Sequence, residues 1–127
     1  MAEETVNVRY MVSDVEAAIA WYMNHFGFSL LSNRAPAFAD VQRGALRLLL
    51  SGPTSSAGRP MPDGSQPIPG GWNRIHLVVK DLNAEVARLR AAEVQFRNDI
   101  VIGPGGLQIL AIDPSGNLVE LFEPAHG

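Results

Sequence analysis

Apolar and polar residues alternate from the start of the chain, with Val6, Val8, Tyr10 and Val12 on one side and Asn7, Arg9 and Met11 on the other. A period of two predicts a strand with one buried face. Asp14 then offers an N-cap. Val15, Ala18, Ile19, Tyr22 and Met23 or Phe26 recur at helical spacing, predicting a helix from Val15 to about Asn24, and Gly27 suits its stop. Phe28 to Asn33, Ala37 to Arg43 and Ala45 to Ser51 have strand composition with short turns between them. The first half reads β-α-β-β-β.

Residues 53–72 break the pattern. Pro53, Pro60, Pro62, Pro67 and Pro69 stand among Gly and Ser, with Met61 and Ile68 the clearly apolar side chains before Trp72. Such a density of breakers predicts neither strand nor helix. A flexible linker and an ordered lid both fit, because a loop of about 20 residues inside a small domain is uncommon and often functional.

The order then repeats. Asn73 to Val79 reads as a strand with Arg74, His76 and Val78 on one face and Ile75, Leu77 and Val79 on the other. Asp81 caps a helix from Leu82 to Ala92 that buries Leu82, Val86, Leu89 and Ala92. Its end breaks a rule, since Glu93 stands where glycine is favoured. Gln95 to Ile102, Leu107 to Ile112 and Leu118 to Phe122 follow as strands. Gly103-Pro104-Gly105-Gly106 joins the first two as a hairpin turn and is no phosphate loop, because no helix follows it. Asp113-Pro114-Ser115-Gly116-Asn117 is a second hairpin turn.

Composition sets the bounds. The chain has 127 residues, 46% of them hydrophobic and 18% charged, enough for a single globular domain with a real core. A formal charge of −3 without a basic block argues against nucleic acid and against a polybasic membrane surface. No cysteine is available for disulfides or thiolate ligands. The start lacks a signal-peptide pattern and no run is long enough for a membrane helix, so a cytoplasmic location is expected.

Superimposing Asp14 on Asp81 places Arg9 on His76, and superimposing Pro53 on Pro124 places Leu49 on Glu120. The expected fold is therefore α+β: two β-α-β-β-β modules, residues 5–52 and 73–124 joined by the loop 53–72, forming an open curved sheet around a cleft in one domain spanning 1–127.

Ser13-Asp14-Val15, Trp21-Tyr22, His25-Phe26-Gly27-Phe28, Ile75 to Leu82, and Asp113 to Leu121 together resemble the vicinal oxygen chelate superfamily of glyoxalases, bleomycin- and fosfomycin-resistance proteins and extradiol dioxygenases. The resemblance covers about Val6 to Pro124. The stretch from Met61-Pro62-Asp63-Gly64 to Gly70-Gly71-Trp72-Asn73-Arg74-Ile75 is similar to a recurrent subgroup of small bacterial members.

The resemblance implies that metal ligands come from the positions of Arg9, Leu49, His76 and Glu120. His76 and Glu120 suit Zn, Fe, Mn or Ni. Arg9 and Leu49 are no ligands, and a guanidinium would repel a cation. A third ligand would have to come from a loop, with Asp63 or Asp113 as candidates. In the competing reading no cofactor binds, and Arg9 pairs with Glu120 beside His76 in the floor of a binding cleft. Phe38, Leu49 and Trp72 would wall it, core packing being the alternative reading for Phe38. Arg47 and Arg74 would add positive charge if they point inward. Trp21 and Tyr22 are expected in the core, His25 on the surface beside its helix terminus, and His126 disordered.

The function expected is small-molecule binding of the bleomycin-resistance type, for an antibiotic or metabolite, by a homodimer such as the resemblance implies for this length. The alternative is an enzyme. It would be a metal-dependent glyoxalase-like lyase or dioxygenase using His76 and Glu120, or a metal-free variant with His76 or Glu120 as base and Arg9 steadying an enolate.

Overall fold

The structure, a computed structural model, describes residues 4–125. His126 lies outside them. The chain separates into two compact units, Met1–Gly70 and Gly71–Gly127, with the boundary inside the proline-rich segment.

Unit 1 runs β1 (Asn7–Met11), α1 (Val15–Phe26), β2 (Ser29–Arg34), β3 (Phe38–Arg43) and β4 (Leu46–Ser51). Its sheet has the order β1-β4-β3-β2, with β1 and β4 parallel and the other pairs antiparallel. The parallel closure is what the helical crossover permits, since a tight hairpin cannot join parallel strands. Asp14 caps α1 by accepting from Ala17 N at 3.1 Å, and Gly27 ends it at φ 67°. One sheet face carries Tyr10, Ala39, Val41, Leu48 and Leu50 into a core with Val15, Ala18, Ile19 and Tyr22 of the helix, all buried. Truncating a fully buried leucine such as Leu48 to alanine costs about 2–5 kcal/mol in such a setting.

Unit 2 runs β5 (Arg74–Val78), α2 (Leu82–Ala91), β6 (Gln95–Phe96), β7 (Val101–Gly103), β8 (Gly106–Ile112) and β9 (Leu118–Pro124). The order is β5-β9-β8-β6, with β7 also on β8 and with β5 and β9 parallel. Asp81 caps α2 by accepting from Ala84 N at 3.0 Å, while Glu123 Oε1 accepts from Leu82 N at 2.8 Å. Ile75, Leu77, Ile109, Ala111, Val119 and Leu121 form the buried sheet face, with Leu82, Val86 and Leu89 from the helix.

The α+β class and the repeated order hold, with corrections of detail, the first being that Val6 and Ala92, expected on buried faces, are exposed and lie just outside β1 and α2. The strand expected from Gln95 to Ile102 is two strands, because Asn98 Oδ1 takes the Leu110 N–H at 3.0 Å and the chain leaves the ladder. The segment expected to hold no helix contains a 3-10 turn, Ser56–Gly58, closed by Gly58 N donating to Ser55 O at 3.0 Å. The first helix runs two residues past Asn24, to Phe26. Glu93 does adopt the left-handed conformation, at φ 65°. Its N–H reaches Arg90 O at 3.0 Å and Val94 N reaches Leu89 O at 2.9 Å, the double closure of a Schellman motif.

Candidate functional site

In each unit the sheet face opposite the helix carries the polar residues, and the strand register decides which of them meet. β9 lies between β5 and β8, with Glu120 directly opposite His76 on one side and Leu110 on the other. A carboxylate in the middle of a sheet is shut off from water, and the Glu120 side chain is 9% exposed. Such a group needs a compensating charge. Arg74 supplies it from the neighbouring strand, with Nη2 at 2.9 Å and Nε at 3.0 Å from Glu120 Oε1. His76 Nε2 stands 3.4 Å from the other oxygen, Oε2. The imidazole is 46% exposed and packs its ring 4.8 Å from that of Phe122.

The equivalent row of unit 1 is Arg9, Leu49 and Asp40 across β1, β4 and β3. Here the acid stands one strand further along. Asp40 is buried, accepts from Ser32 Oγ, and receives Arg47 Nε at 2.7 Å and Nη2 at 2.6 Å on Oδ2. Burial alone raises its carboxyl pKa, but the hydrogen bonds from Ser32 and Arg47 and the Arg47 charge outweigh burial and hold it below the usual value. Arg9 is exposed and donates from Nη1 to Ser51 Oγ at 2.8 Å.

The expected positions are thus paired as the internal repeat requires, Arg9 with Leu49 and His76 with Glu120. Within its own unit Glu120 forms an ion pair with Arg74, and within its own unit Arg9 bonds Ser51. Arg47 and Arg74 both lie on the open faces, each engaged by the buried acid of its own unit. Phe38 and Leu49 are half-buried on the open face of unit 1, with Phe38 opposite Ser51. Trp72 is 61% exposed. Tyr22 is core, and Trp21 lies half-buried with its ring 4.8 Å from that of Tyr22.

Asp40 escaped the sequence reading. The signal was present: an aspartate at an inward position of a strand is disfavoured unless something pairs it, and Arg47 follows on the next strand.

The donors at His76 and Glu120 do not fit the metal that the family resemblance implies. Both nitrogens of Arg74 already hold Glu120 Oε1, placing a permanent cation beside the would-be site. The loop candidates are committed elsewhere. Asp113 Oδ1 closes its own turn by accepting from Ser115 N at 2.8 Å and Asn117 N at 2.9 Å, and Asp63 Oδ1 accepts from Ser65 N and Oγ. Among the described residues no three His, Cys, Asp or Glu side chains are grouped to hold a metal ion.

The open faces therefore carry paired charges and, on unit 2, an imidazole that is 46% exposed. No helix among the described residues is long and apolar enough to cross a membrane.

Comparison with known proteins agrees with the fold. The structure is similar to a member of the glyoxalase/bleomycin resistance protein/dioxygenase superfamily from Sphaerobacter thermophilus DSM 20745, with 26% identity, TM-score 0.76, and 96% of this chain and 98% of that one covered. It is similar to TnmS3, an antibiotic binding protein from Streptomyces sp. CB03234, at 25% identity and TM-score 0.73 over 98% of both chains. The fosfomycin resistance protein FosX from Listeria monocytogenes shares the fold at 15% identity and TM-score 0.72, over 98% of this chain and 96% of that one. No curated protein matches the sequence significantly. Residues 5–121 match the family described as Glyoxalase/Bleomycin resistance protein/Dioxygenase superfamily, and the chain belongs to that superfamily.

Proposed function

We propose that this chain is a small-molecule binding protein of the bleomycin-resistance type, taking up an antibiotic or metabolite as a homodimer and without an assembled metal centre. The observation that carries the reading is the Arg74–Glu120 ion pair. It neutralises the one carboxylate opposite His76 and leaves an exposed imidazole as a hydrogen-bonding group. The antibiotic-binding relative at 25% identity supports the same direction.

Elemental analysis of protein purified without chelators tests the metal-free part. The expected result is no stoichiometric metal, and no thermal shift on adding Zn, Fe, Mn or Ni that disappears in His76→Ala. A stoichiometric ion lost in His76→Ala overturns it in favour of the metal-dependent enzyme. The binding part is tested by a ligand screen read by thermal shift. Hits are expected to weaken in Glu120→Gln and His76→Ala, and a screen without a saturable hit counts against it. Sedimentation of the full chain checks the dimer.

A further inference from the structure

The break between β6 and β7 brings Arg97 to Trp72. Arg97 N donates to Leu110 O at 2.9 Å and Asn98 Oδ1 accepts from Leu110 N, so the irregular segment is fastened to β8 and Arg97 departs from a fixed point. Trp72 arrives from the opposite edge of unit 2, following Gly71 at φ 91°, a conformation that suits glycine. Its carbonyl accepts from Arg74 Nη1 at 3.2 Å. Trp72 thus precedes one edge strand of the path β5-β9-β8-β6 and Arg97 follows the other. Even so, the guanidinium carbon lies 4.4 Å from the indole centroid. The pair spans one end of the sheet, and Arg74 ties it to the Glu120 cluster.

Two properties of this pair point to a ligand. First, Trp72 is 61% exposed although an arginine already stands over its ring, so much of this large residue stays in water. Second, the charge of Arg97 is unanswered: among the described residues no carboxylate pairs with it, and the nearby Asp99 stands 3.5 Å from Arg90 Nη2 instead. Contact with an aromatic face occupies the flat side of a guanidinium and leaves its in-plane N–H fork free. That fork matches a carboxylate. A carboxylate seated there lies beside the guanidinium, where a flat ring attached to it can stack on the rest of the indole.

We propose that Trp72 and Arg97 form a platform for a planar aromatic carboxylate, Arg97 taking the carboxylate and Trp72 the ring. The proposal rests on the small-molecule reading above and narrows it to a ligand class. Neither residue alone selects that class. Trp72 favours any flat ring and Arg97 favours any anion, so the signature is their combination.

The test is an NMR titration of the full chain with 1-naphthoate, 1-naphthamide and cyclohexanecarboxylate, following the Trp72 indole N–H, identified by its loss in Trp72→Leu, and the β5 amides. Naphthoate is expected to saturate at a Kd about tenfold below the other two, the factor of one charge-assisted contact or one ring stack. Arg97→Gln should bring naphthoate to the level of naphthamide. Trp72→Leu should weaken both naphthyl probes and leave cyclohexanecarboxylate unchanged. Circular dichroism checks both variants, and if Trp72→Leu fails to fold the Arg97→Gln comparison decides alone. Equal binding of naphthoate and naphthamide overturns the platform, as does binding indifferent to both replacements. If such binding is lost in Glu120→Gln, the broader small-molecule reading stands without the platform. No saturable shift with any probe overturns the platform, and the thermal-shift screen then judges the broader reading separately.

Discussion

Two nitrogens of Arg74 converge on a single oxygen of Glu120, and two nitrogens of Arg47 converge in the same way on Asp40. In both units the arginine sits on the strand next to the acid, two residues from its direct partner, so each contact runs along a sheet diagonal. The two pairs occupy different strands, β5 and β9 in one unit and β4 and β3 in the other. Each unit has met the same requirement, a neutralised carboxylate on its open face, from different positions of the repeat.

Removing Arg74 should destabilise more when Glu120 keeps its charge than when Glu120 is already replaced. Arg74→Ala strands a nearly buried carboxylate and is expected to cost about 1–3 kcal/mol, while Glu120→Gln costs about 1 kcal/mol. Urea unfolding of the double variant Arg74→Ala/Glu120→Gln should show a loss clearly smaller than the sum. Additive losses would mean that the two side chains do not depend on each other.

Asp40 gives the fold an acid dependence. Its folded pKa lies below the ordinary carboxylate value, so the stabilisation is full above the unfolded pKa of about 3.9 and fades as pH falls through the folded value. The stability gap between the unaltered chain and Asp40→Asn, measured by urea unfolding, should be constant from about pH 7 to 5. Below about pH 4 it should narrow. A gap that widens in acid has the wrong sign for this arrangement.

Glu93 holds a left-handed conformation at the end of α2 that costs a side-chain-bearing residue about 1 kcal/mol. Glu93→Gly should therefore raise stability by about 0.5–1 kcal/mol, net of the extra freedom glycine gives the unfolded chain. A melting temperature raised by a few degrees confirms it; a lower one shows that the glutamate side chain does something the closure does not require.

Two glycines at positive φ should respond very differently to alanine. At Gly106, φ +146°, a new Cβ would run into the backbone oxygen of Glu123, an atom that cannot swing away as a side-chain end can. At Gly116, φ +88°, nothing lies within 4 Å, so only the backbone conformation is strained. Gly116→Ala is expected to cost about 1 kcal/mol, and Gly106→Ala at least twice that. Equal losses in thermal unfolding would contradict the close approach at Gly106.

Much of this architecture is legible before any coordinates. Asp14 and Asp81 cap helices because a short acidic side chain reaches the free amides of a first turn, and the alternation in β5 puts His76 on the open face because successive side chains alternate. That His76 and Glu120 belong to one site is what the family resemblance implies, and the parallel register of β5 and β9 sets them opposite one another. What escaped depends on lateral position. Nothing local to Arg74 or Arg47 says which neighbouring strand holds its acid, so neither the Arg74–Glu120 pair nor the Arg47–Asp40 pair follows from the sequence. The interruption after Phe96 is set by Asn98 capturing a distant amide of Leu110, a contact with no trace in hydrophobic periodicity. The approach of Arg97 to the Trp72 ring leaves no trace in periodicity either.

The parallel pairing of the first and last strands of each unit also sets the order in which the protein can be made. β4 and β9 are the last strands of their units and occupy interior places in the sheets. As synthesis proceeds, unit 1 has all its strands once Ser51 has emerged, and it can close early. Unit 2 can pair β6 and β7 with β8 earlier, but β5 has no strand to lie against until Leu118–Pro124 arrives. Glu120 comes with that closing strand. The carboxylate and its arginine therefore meet only when the unit is complete.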